Sequence, residues 1–143
     1  MAARQWRWLL FGELLLYLVL GNALVGRAGW TPAQAAGLAL AWFLWVRLLV
    51  VATTFGIMLT DRSAVPPGLR LGLFGVLRMF VEEYLAFILM FVALIPFERF
   101  WLGPDRLAHC ATRRTPLLLI HGYQCNRGFW FWLRRKLEAA GWT

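Results

Sequence analysis

The sequence predicts an α-helical membrane protein with three transmembrane helices, followed by one strand-turn-helix unit of a larger, incomplete α/β fold. Three observations predict it. Hydrophobic residues make up 61% of the 143-residue chain, with nine Trp and eleven Phe against 15% charged residues, a composition far from that of a soluble domain. Three apolar stretches reach the length of about 20 residues at which a helix crosses the hydrocarbon core. Residues 117–120, Leu-Leu-Leu-Ile, form a short apolar run without polar alternation, as in a strand covered on both faces of a parallel sheet.

The apolar stretches cover residues 6–25, 33–59 and 79–101. Each is expected to be helical, because a lone span must satisfy its own backbone hydrogen bonds and a single strand cannot. Trp6, Trp8, Trp30, Phe97, Phe100 and Trp101 mark the ends, where amphipathic rings favour the head-group level. Arg4 and Arg7 before the first run also fit a signal peptide. Glu13 interrupts that run and no Ala-x-Ala site precedes Trp30, so the stretch is expected to remain as an anchor. Residues 1–102 thus form the membrane region, 103–115 a polar, basic connector, and 116–143 the strand-turn-helix unit.

Arg62, Arg70 and Arg78 lie between the second and third stretches, whereas only Arg27 lies between the first two. With Arg4 and Arg7, this puts the N-terminus inside and the C-terminal segment outside the cytoplasm of a bacterial inner membrane. Arg99, Arg106, Arg113 and Arg114 oppose that topology and leave five basic residues on each side. The first helix, which usually sets orientation, decides for the N-terminus inside. The formal charge of +8 is not gathered in a run, and its arginines flank or interrupt apolar segments. Membrane lipid, and not nucleic acid, is the expected partner.

Within the spans, Glu13 and Arg47 fall at similar depth if the first two helices form a hairpin. An ion pair between them is expected, each neutralising the other away from lipid. An ion or proton path is the alternative, but Thr53, Thr54 and Tyr17 offer little polarity to build it from. Ala33, Gly37 and Ala41 recur every four residues and make a candidate stripe for a helix-helix partner. Pro66-Pro67-Gly68 ends the second helical region.

After His121-Gly122, Asn126 is a plausible N-cap for a helix with Trp130, Leu133, Leu137 and Ala140 on one face, and Gly141 supplies its stop. Cys110 and Cys125 match no metal-site spacing with His109 and His121, so neither metal nor cofactor is expected. Two free thiols are the reading, with a disulfide outside the cytoplasm as its alternative.

Residues 116–130, Pro-Leu-Leu-Leu-Ile-His-Gly-Tyr-Gln-Cys-Asn-Arg-Gly-Phe-Trp, resemble the segment that carries the oxyanion loop in lipase- and esterase-like α/β-hydrolases. The His-Gly-Tyr and Cys-Asn-Arg-Gly-x-Trp elements are similar to those of bacterial hydrolases with an N-terminal membrane region. The resemblance implies that the Tyr123 N–H donates to the oxyanion of acyl transfer, while His121 and Gly122 shape the turn that presents it. It also implies an ester or lipid substrate for the completed enzyme. A nucleophile elbow, Gly-x-Ser-x-Gly, is missing, since the one serine, Ser63, lies between membrane spans. Cys125 is a conceivable alternative nucleophile, although a packed thiol is the default. The chain therefore reads as the N-terminal part of a membrane-anchored hydrolase, inactive alone. A small three-helix membrane protein serving as an interaction or anchoring module is the alternative.

Overall fold

The computed structural model describes residues 2–60, 71–103 and 117–142. Arg62, Ser63, Arg70, the Pro66-Pro67-Gly68 break, most of the connector, His109 and Cys110 lie outside the described residues. The chain falls into two compact units. One gathers residues 11–88, and the other combines residues 1–10 with 89–143.

Helix α1 (Ala2–Ala28, 27 residues) and helix α2 (Pro32–Thr60, 29 residues) are both long and apolar enough to cross a membrane. At 1.5 Å per residue each exceeds the hydrocarbon thickness of about 30 Å. α1 buries no residue in the protein, and Leu9, Leu14, Val19 and their neighbours are exposed, so acyl chains and not a protein core are the environment it suits. The link between the helices is written locally. Gly29 takes a left-handed φ of 67°. Thr31 and Gln34 then form a capping box, with Gln34 N donating to Thr31 Oγ1 (3.3 Å) and Thr31 N donating to Gln34 Oε1 (2.9 Å). Pro32 occupies the first helical position, where its missing N–H costs nothing.

In the first unit, Gly21 faces Ala35 and Glu13 faces Arg47, so this part of α1 runs antiparallel to α2. A Cβ at Gly21 would stand 3.7 Å from that of Ala35, which is buried. The close approach therefore uses Ala35, not the Ala33, Gly37 and Ala41 stripe, which is exposed. Helix α3 (Leu73–Ile88) packs on α2 through an edge-on Phe55–Phe80 pair and a Tyr84 hydroxyl that donates to Leu44 O (2.9 Å).

The expectation of three transmembrane helices is corrected. The third helical region begins at Leu73, changes at Leu89–Leu94 to a six-residue π-helix, and stops in a turn at residues 95–97. Pro96 explains the stop, because its ring lacks a donor and disfavours helical geometry at Ile95. Only the four-residue helix α4 (Glu98–Trp101) follows. Among the described residues two helices, not three, meet the length and apolarity for crossing.

The predicted strand is also corrected. Among the described residues there is no strand, and residues 117–122 run as coil with Leu118 and Ile120 about four-fifths exposed. A strand needs a neighbour to pair with, and an isolated apolar run supplies none. The strand-turn-helix unit of an α/β-hydrolase fold is therefore not formed. In its place, Asn126 caps a 3₁₀ turn (Arg127–Trp130) that leads into helix α5 (Phe131–Ala139). The less exposed face of α5 carries Phe131, Arg134 and Leu137, so of the predicted stripe Trp130 and Leu137 are part-buried while Leu133 and Ala140 are exposed. It ends with Gly141 at φ 81° and Trp142 N donating to Leu137 O (2.9 Å), a Schellman-type close.

The second unit is organised around the Pro96 break. Leu94, Ile95 and Leu102 are buried, and the carbonyls left by the broken helix find side-chain donors. Asn126 Nδ2 donates to Ile95 O (2.8 Å) and Arg7 Nη1 to Pro96 O (3.4 Å), while Trp101 Nε1 (3.2 Å) adds a second donor to Ala93 O, which already accepts from Phe97 N (3.2 Å). Gly128 sits so close to this turn that a Cβ would fall 2.8 Å from the Leu94 carbonyl carbon and nearer still to its oxygen. Gly128→Ala is therefore expected to undock residues 125–139, whereas Gly122→Ala, whose Cβ meets open space, is not. Hydrogen exchange in detergent checks this. Equal protection of α5 in both variants would refute the assignment.

Candidate functional site

The loop singled out by sequence is a tight turn. Cys125 N donates to Gly122 O (3.3 Å), Gln124 takes φ 57°, and Tyr123 occupies the corner, a type II pattern that ordinarily favours Gly at the position of Gln124. The left-handed conformation costs a residue with a Cβ about 1–2 kcal/mol. Two ties hold the turn. Trp6 Nε1 donates to Gln124 O (3.0 Å), and the Trp6 ring rests against Phe91 with centroids 4.7 Å apart. Two residues on, Asn126 uses both ends of its amide, accepting from Gly128 N (2.9 Å) while donating to Ile95 O.

His121, Gly122 and Tyr123 themselves are exposed, Tyr123 to 92%. His121 Nδ1 lies 3.1 Å from Gly122 O, which suits a tautomer protonated at Nδ1 and fixes the ring beside its own backbone. Cys125 is a partly exposed free thiol. An oxyanion site needs several donors converging on one point in a water-excluding pocket. The turn supplies an ordered backbone but no enclosure: a cleft of about 360 Å³ in the same unit is lined from α4 and α5 by residues such as Trp101 and Arg135, not by residues 121–123.

The other candidate pair is brought together. Arg47 Nη2 lies 2.6 Å from Glu13 Oε2 and Arg47 Nη1 lies 2.8 Å from Glu13 Oε1, a two-pronged contact with Arg47 12% and Glu13 23% exposed. Arg47 Nη1 also donates to Phe43 O (3.0 Å), and its guanidinium carbon stands 3.5 Å from the Phe43 ring centroid. Tyr17 completes the cluster by donating from its hydroxyl to Glu13 Oε1 (2.5 Å). Phe43 and Tyr17 are each one helical turn from an ion-pair partner. The i, i+4 spacing was readable in the sequence as the signal for both. Thr53 and Thr54, the other polar residues of α2 considered for a path, donate to Leu49 O (2.7 Å) and Val50 O (3.0 Å) of their own helix. They satisfy local backbone and extend no chain of polar groups.

Among the described residues, no group of three or more His, Cys, Asp or Glu side chains could hold a metal ion. Comparison of the chain with protein-family models, curated proteins and solved structures finds no match.

Removing one member of the Glu13–Arg47 pair strands the other charge among apolar helices, at about 2.5–3.5 kcal/mol on insertion scales. Glu13→Gln and Arg47→Met are each expected to lower membrane insertion, and the double variant to insert better than either. Glycosylation-tag insertion assays measure this. Additive defects would mean the two side chains do not compensate one another.

Proposed function

We propose that this chain is the membrane-anchored N-terminal portion of a lipase- or esterase-like hydrolase, to which it contributes an anchor and an oxyanion loop. The observation that carries the reading is that the turn holding Tyr123 is fastened on its C-terminal side, Gln124 to Trp6 and Asn126 to Ile95. A backbone donor stabilises a developing oxyanion only if it is held in place before the reaction begins. In this reading the Tyr123 N–H supplies one donor and His121 acts in shaping the turn. The nucleophile, acid and base come from sequence beyond these residues. Exposure of the Ala33, Gly37 and Ala41 stripe favours the second reading, a membrane module that binds a partner helix.

Purified chain in detergent is expected to leave short- and long-chain nitrophenyl esters intact. A version extended through a downstream in-frame nucleophile elbow is expected to hydrolyse them and to lose activity when the new serine is replaced. Turnover by the unextended chain, abolished by Cys125→Ala, would overturn the proposal in favour of a cysteine nucleophile. An extended chain that remains inert would favour the partner-binding module.

The proposal also assigns α1's N-terminal end and the 121–126 loop to one membrane face, the cytoplasmic one by the positive charge of Arg4 and Arg7, in place of opposite faces. The Trp6 to Gln124 hydrogen bond supports this. So do the two candidate spans among the described residues, because two crossings return a chain to the face it left. In a background lacking native cysteines, labels at Arg4→Cys and Tyr123→Cys are expected to react from the same side. Reaction from opposite sides would overturn the assignment.

A further inference from the structure

We infer that the cleft between α4 and α5 binds the phosphate head group of an anionic phospholipid. This rests on membrane attachment and is independent of the hydrolase reading.

The cleft's position argues first. It belongs to the unit in which Trp6 and Arg7, from the opening turns of a membrane-length helix, reach Gln124 O and Pro96 O. The first turns of a crossing helix lie at head-group depth, so the residues clasped to them lie there too. α4 follows that clasp directly, at the end of the apolar helical region.

The lining argues next. One wall is aromatic, with Phe100 82% and Trp101 51% exposed, and it opposes Phe131, Arg134 and Arg135 of α5. The Arg135 guanidinium stands 5.6 Å above the Phe131 ring, a stacking that orients a planar fork able to grip a phosphate with two parallel hydrogen bonds. Arg134 is engaged differently, its Nε donating to Glu138 Oε1 at 2.8 Å. Among the described lining residues Arg134, Arg135 and Glu138 sum to one net positive charge, which matches a phosphodiester. Its volume, about 360 Å³, suits a head group and not a whole lipid.

The exposed rings decide between a lipid and a soluble phosphate. Inorganic phosphate would satisfy Arg135 and leave Phe100 and Trp101 in water, whereas a bilayer lipid supplies the anion and the apolar cover from one molecule.

Native mass spectrometry of the full chain released from detergent, with phosphatidylglycerol, phosphatidylcholine or inorganic phosphate added, tests this. Phosphatidylglycerol is expected to be retained in preference to phosphatidylcholine, and inorganic phosphate not to be retained or to compete. Arg135→Gln is expected to reduce phosphatidylglycerol retention about fivefold, the equivalent of roughly 1 kcal/mol for one basic residue at an anionic surface. Glu138→Gln, which removes the opposing charge, is expected to increase it. Arg27→Gln, at the far end of α1, is expected to change nothing. Equal retention of the two lipids, equal losses in Arg135→Gln and Arg27→Gln, or binding of phosphate alone would each overturn the inference.

Discussion

The carbonyls released where Pro96 halts a helix are the constraint on which the second unit depends. A broken helix in or beside an apolar phase leaves acceptors that water does not reach, and each unsatisfied one costs on the order of kcal/mol. This chain answers with two donors far apart in sequence, Arg7 to Pro96 O and Asn126 to Ile95 O, while Trp101 adds a second donor to Ala93 O. The π-helix before the break belongs to the same solution, since Ile95 N reaches back to Met90 O at 2.9 Å and closes the wider turn. Buried Leu94 and Ile95 then give Gly128 a backbone surface to rest on, which is why no side chain fits there. Polar satisfaction, more than apolar burial, fixes where the C-terminal segment lies.

The Glu13–Arg47 cluster applies the same rule to charge. α1 and α2 present Leu, Val, Phe and Trp outward, and between them sits a carboxylate held by an arginine fork and a tyrosine hydroxyl. Two compensated charges add little net stability relative to apolar replacements. They do fix rotation and register, because a slip of one residue would turn either partner away from the other. Gly21 against Ala35 then sets how closely the two backbones approach.

Helix placement was legible where local chemistry decides it. The apolar lengths marked α1 and α2, Asn126 marked the start of the C-terminal helical segment and Gly141 marked its end. Thr31-Pro32-Ala33-Gln34 was an equally readable capping box, and it places the start of α2 at Pro32, one residue before the apolar stretch as drawn. What the residue pattern could not settle was the fate of apolar residues that need a partner. Leu117 to Ile120 carry a strand's composition, but strand formation depends on a second strand, which no local pattern supplies. The 79–101 stretch looked long enough to cross because apolarity alone does not register Pro96. For the loop, the sequence identified His121, Gly122 and Tyr123 but not Trp6, whose role arises from a contact across most of the chain. The division at residues 102 and 116 followed polarity, whereas the compact units follow contacts.

That contact has a consequence for the order of assembly. Trp6 and Gln124 are 118 residues apart, so during synthesis the tryptophan is made well before its acceptor. The clasp closes late and carries a large loop-closure entropy, although that cost grows only logarithmically with length. Until residues 124–126 arrive, the carbonyl of Ile95 lacks the donor that the finished protein gives it.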